Sequence, residues 1–260
     1  MNATIAAQMT GADLLKLRKK IGTVVWALVL ALGPLLILYA VKAIQHSSNP
    51  GKYGPAGGVG GFTDGVRLLG LFFGPLAAIL VGAEAGAGDS SAGVFRDLVV
   101  TGRSRVALFA ARVPAALALM LSIAFVGFVV VVSASFLFAG SLSTPSFGLI
   151  LEAFGFVLLA NGVVCVVAVG MGSLTGSKAA TITSLIGWHL VASPLISSIS
   201  SLGNARDGIL SQALVHFSPV RFGDRGGSVT MGAGVAFVVL VAWLVVFLAL
   251  GAWRTHKMDA

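Results

Sequence analysis

Six apolar stretches dominate the chain, and polar or glycine-rich segments separate them. They cover about 21–44, 68–88, 106–139, 147–174, 179–201 and 231–253. A helix needs about 20 predominantly apolar residues to cross the hydrocarbon core of a bilayer. Backbone polar groups in lipid must be satisfied within the segment, so runs of this length predict helices rather than barrel strands. The expected fold is all-α, a polytopic membrane protein with six transmembrane helices. Pro34 and Pro75 fall inside the first two runs; a membrane helix tolerates such a proline, although it frees a carbonyl.

The segments between the runs differ in character. Residues 2–20 mix Leu14, Leu15 and Leu17 with Lys16, Arg18, Lys19 and Lys20. Such a segment either lies along the membrane surface with its basic groups towards anionic lipid or serves as a charged flank that orients the next helix. Residues 45–67 carry seven glycines together with Pro50 and Pro55, which predicts a flexible external loop. Residues 202–229 are polar and predict an external segment before the last span. The first apolar run starts only after Lys20 and has no small-residue cleavage site at its end, so it reads as a retained span.

Six spans put both ends of the chain on one side. With the ends inside, eleven basic residues face inward, and six face outward: Lys42, Lys52, Arg67, Arg206, Arg221 and Arg225. The bias favours cytoplasmic termini. It also makes 82–112 a cytoplasmic stretch, with Glu84 and Arg112 as charges at the membrane edge and Arg112 extended towards the headgroups.

Composition agrees with the spans. Hydrophobic residues make up 57% of the 260 and charged ones 10%, against about 25% in ordinary soluble domains. Mean hydropathy is +0.99. The net charge of +8 is distributed around membrane entries, so it does not predict a nucleic-acid surface. Cys165 is the single cysteine and lies within an apolar run, where it reads as a quiet buried thiol.

Catalytic chemistry has little support. His46, His189, His216 and His256 are scattered and form no metal-ligand spacing. The string from Gly172 to Lys178 lacks phosphate-loop spacing and a preceding strand, so the chain is not expected to hydrolyse ATP by itself. Serines occur without a nucleophile elbow or an accompanying acid and histidine. No catalytic residue, bound cofactor or metal is expected. Glu152, Asn161 and His189 are polar positions in or near spans; each either lines a transport path or serves packing and capping. Gly82 with Gly86, and Gly172 with Gly176, permit close helix approach but assign no dimer face.

The stretch from Glu84 to Arg105 resembles the membrane subunit of type-2 ABC transporters, the ABC-2 permease family. Glu84 and Asp89 match the acidic positions that close the second span. Gly93, Val94, Phe95, Arg96 and Asp97 match a short coupling helix, and Thr101, Gly102, Arg103, Ser104 and Arg105 match the turn into the third span. Gly102 stands where the family has proline, and glycine takes a wider range of dihedrals.

The resemblance implies a bacterial plasma-membrane exporter permease that works as a dimer. Residues 88–105 would be the cytoplasmic coupling helix, docked in a groove of a separate ATPase subunit that holds the ATP and Mg. The apolar residues Val94, Phe95, Leu98 and Val99 would bury one face, with Arg96, Asp97, Arg103 and Arg105 setting orientation at its rim. A second permease copy and membrane lipid complete the implied partners. An ATP-independent transporter or channel subunit, and a noncatalytic membrane assembly protein, are the alternatives.

Overall fold

The computed structural model describes residues 3–93, 102, 104–220 and 231–257. A first helix, α1, spans Ala3–Lys19. Six further helices are long and apolar enough to cross a membrane, among the described residues: α2 (Ile21–Ser48), α3 (Gly58–Ser91), α4 (Arg105–Leu137), α5 (Phe147–Thr175), α6 (Lys178–Ser198) and α8 (Ala233–Lys257). Between α6 and α8 come a 3₁₀ segment, Ser200–Gly208, and the short helix α7, Leu210–His216.

The bundle is built around α3 and α5, which are the most buried spans, while α2, α6 and α8 present broad apolar faces outward. Lipid offers no hydrophobic gain for helix association, so contact must come from close packing and interhelical hydrogen bonds. Small residues supply the packing. An added Cβ on Gly82 would lie 2.5 Å from Cys165 O, and one on Gly86 would lie 2.3 Å from Val169 O. One on Gly172 would meet the backbone of Gly86 and Ala87 at 3.2 Å. Gly82, Gly86 and Gly172 therefore bring α3 and α5 together within one chain. Gly176 has a different role, closing α5 in the left-handed region at φ 67°.

The hydrophobic runs understate α3. Its first ten residues, GVGGFTDGVR, form a helix that the glycine content masks, and the loop expected over 45–67 contracts to 49–57. Gly61, Phe62, Gly65 and Val66 are buried there. The Tyr39 hydroxyl donates to Gly61 O at 2.9 Å, and an added Cβ on Gly65 would lie 2.9 Å from the Tyr39 hydroxyl oxygen. Tertiary contact with α2 and α4 thus overrides weak helix propensity.

Residues 200–216, before the last span, run back alongside α8. Trp243 Nε1 donates to Gly208 O at 3.0 Å. Trp243 is ten residues into α8, about 15 Å along it at the usual helical rise. Leu210, Ala213 and Leu214 of α7 are buried in the returned segment.

Candidate functional site

Two polar centres interrupt the apolar bundle. The first is at the end where α1, the close of α3, the start of α4 and the start of α6 meet. Arg112 projects from α4 and is only 3% exposed. Its Nη2 donates to Asp89 Oδ2 at 3.0 Å and its Nη1 to Gly86 O at 3.2 Å. Asp89, 4% exposed, also pairs with Lys16 of α1. A carboxylate held by two cations satisfies the requirement that a buried charge be paired. Arg112 therefore turns into the bundle instead of extending towards headgroups.

Glu84, 8% exposed, is the second buried carboxylate of this end, accepting from Lys178 Nζ of α6 and Thr23 Oγ1 of α2, each at 3.2 Å. Both residues read as membrane-edge charges are thus inter-helix ties. Asp13 adds a weaker link, 3.5 Å from Lys16. Burial pushes its carboxyl above the usual value, against the opposing pull of Lys16 and Arg112. Since the folded pKa is raised, the stabilisation linked to Asp13 protonation is present below pH 3.8 and is lost as pH rises through the folded pKa.

From this centre the chain leaves into 92–104. Gly93 ends the described stretch at φ 71°. Ser104 caps α4 by accepting from the Ala107 amide at 3.2 Å. Arg105 Nη1 donates to His256 O at 3.2 Å, which brings the close of α8 to the same end. Val94, Phe95, Arg96, Asp97, Leu98, Thr101 and Arg103 lie outside the described residues.

The second centre lies midway along the spans. Residues 68–72 of α3 and 188–192 of α6 each form a π-helical turn. Each turn runs into a proline, Pro75 or Pro194. Proline has no N–H and crowds the carbonyl four residues earlier, which loosens the regular ladder there. Four residues before Pro75 is Leu71, and its carbonyl takes a hydrogen bond from His189 Nε2 at 2.9 Å. Because a carbonyl only accepts, His189 carries its proton on Nε2 in the neutral ring. Asn161, fully buried on α5, donates Nδ2 to Leu69 O at 3.1 Å and to Val157 O at 2.8 Å. Replacing Asn161 with leucine leaves Leu69 O short of a donor. It is expected to cost about 1–3 kcal/mol, read as a lower unfolding midpoint in detergent.

Beside His189 is a cavity of about 160 Å³ lined by Leu71, Phe72, Leu190, Pro194, Ser211 and Val215. His189 and Asn161 thus share one π turn of α3, whereas Glu152 is apart from them, exposed near the start of α5. The partners that sequence reading missed are Lys16, Lys178, Thr23 and two backbone carbonyls. Pro75 signalled the Leu71 carbonyl, four residues before it, whereas nothing local marked Leu69 O. No local signal marked the cations as partners of Glu84 and Asp89, because their pairing depends on which helices become neighbours.

No protein-family model and no curated protein matches this chain. Among the described residues, six long apolar helices make this a polytopic, largely helical membrane protein.

Proposed function

We propose that this chain is the permease subunit of an ATP-driven exporter, working as a dimer and moved by a separate cytoplasmic ATPase. The observation that carries this reading is the buried Asp89–Arg112 pair, with Lys16 at its solvent edge, at the root of the 92–104 connection. It fastens α1, α3 and α4 together where that connection departs. A load applied to the connection would reach three helices, and α6 through Glu84 and Lys178. A solvated loop needs no such root. Closure of two ATPases would then shift the balance between two arrangements of the permeases, provided each arrangement contacts the ATPase differently.

The sequence has no phosphate loop, so the energy source in this reading is the partner. The test is purification of the intact complex from its native membrane, followed by Phe95→Asp and Phe95→Ala. An ATPase subunit is expected to co-purify, to be lost with Phe95→Asp and to weaken with Phe95→Ala. An intact complex without an ATPase, and transport that persists without ATP, would sink the proposal. That outcome would favour the ATP-independent path suggested by the mid-bundle cavity beside His189.

A further inference from the structure

A polar cavity of about 280 Å³ lies at the far end of the bundle from the Asp89 centre. Lys42, Gln45, Lys52, Tyr53, Gly54 and Pro55 line it. Its walls are the last turns of α2 and the tight turn that follows. Backbone bonds set this turn: the Lys52 and Tyr53 amides donate to Asn49 O at 3.1 and 3.0 Å. His46 Nδ1 lies 2.6 Å from Tyr53 O. Beyond the turn, the Gly57 amide donates to Phe138 O at 2.8 Å, which anchors the segment to α4. The cavity is therefore largely preformed, which lowers the ordering cost of a ligand.

Its charge is unbalanced. Lys42 pairs with Asp64, and Asp64 also accepts from Arg67. Lys52 adds a second lysine to the wall, so among the described residues that line the cavity both charged side chains are cations. Lys52 Nζ is 5.2 Å from the Tyr53 ring centre, an arrangement that suits a membrane boundary.

Below the cavity the α2 surface turns apolar along the same helical ridges. Val41 and Ile37 lie one and two turns below Gln45, and Leu38 lies one turn below Lys42. Ile37 and Val41 are exposed, and no described helix covers them. A cationic pocket above an exposed apolar ridge fits a ligand that is anionic at one end and hydrocarbon at the other.

We infer that this cavity holds the phosphate headgroup of an anionic phospholipid, with an acyl chain along Ile37 and Val41. Free phosphate shares the headgroup chemistry but makes no use of the ridge. A zwitterionic phospholipid uses the ridge but brings its own cation towards the two lysines. The inference requires only that α2 cross the membrane and is independent of the exporter reading.

The experiment uses the full chain in a neutral detergent, loaded with phosphatidylglycerol or with phosphatidylcholine of the same acyl chains. Native mass spectrometry counts the lipids retained. The chain is expected to keep one tightly held phosphatidylglycerol at about fivefold or greater preference over phosphatidylcholine. Lys52→Gln removes one charge from an exposed turn and is expected to lower that retention about fivefold. Lys52→Arg, which keeps the charge, retains it. Inorganic phosphate at millimolar concentration leaves the lipid bound. Equal retention of the two lipids overturns the inference, as does unchanged retention in Lys52→Gln or equal loss in both variants. Displacement by inorganic phosphate assigns the cavity to a free anion and overturns it as well.

Discussion

Replacing Arg112 with alanine is expected to destabilise the folded chain by about 3 kcal/mol, the lower end of the cost of removing one partner from a buried ion pair. The reason lies on Asp89. Its carboxylate is buried among helices and is held by Arg112 on one side and Lys16 on the other. Loss of the guanidinium leaves one cation, carried by a side chain that is 41% exposed. Gly86 O also loses a donor, although Ser173 Oγ still donates to it at 3.2 Å. The penalty therefore arises mainly from the carboxylate. Lys16 keeps it from the upper end of the range.

This explanation makes a second substitution diagnostic. Arg112→Met combined with Asp89→Leu removes both buried charges and fills the space with apolar atoms. Lys16, reaching water, then needs no buried partner. The double variant is expected to recover most of the stability lost by Arg112→Ala, because apolar replacement of a buried pair is often neutral or favourable. Unfolding midpoints of the three proteins in one detergent decide the matter. If Arg112→Ala leaves the midpoint unchanged, the residue acts as an edge charge and the centre does not hold the helices. If the double variant is as unstable as the single one, the carboxylate is not the source of the cost.

The contrast between Arg112 and Asn161 explains how far the sequence could be read. Apolar run length alone led to six spans, because hydrocarbon demands it and little else satisfies the backbone there. Asn161 was legible as a residue in need of a helix partner, since a carboxamide deep in an apolar run has to find one. The partner itself, a carbonyl in a π turn, depended on the backbone of another span. Arg112 was misread because a long cation near a span end has two solutions, outward to headgroups or inward to a carboxylate. The choice follows from the proximity of α3 to α4, which no single run encodes. The glycine-rich start of α3 failed for the opposite reason, since local propensity favoured a loop and tertiary contact made a helix.

That tertiary contact leads to the second large effect, at Gly86. Gly86→Leu is expected to prevent α3 and α5 from reaching their native contact, and Gly86→Ala to cost about 1–3 kcal/mol as overpacking. An added Cβ would lie 2.3 Å from Val169 O, 3.0 Å from Gly172 Cα and 3.0 Å from Ser173 N. All three are backbone atoms, so no rotamer change can make room and the helices themselves must separate. Separation would weaken the bonds that Arg112 and Ser173 make to Gly86 O. Gly155 provides the control, being exposed on α5 with open space where its Cβ would stand. Gly155→Ala is expected to be neutral or to stabilise by up to about 1 kcal/mol through helix propensity. Thermal unfolding of the two alanine variants separates the contributions. Equal midpoints would mean that the α3–α5 approach is not a tight backbone contact, whereas a loss confined to Gly86→Ala makes that contact the one on which the polar centre at Asp89 is aligned.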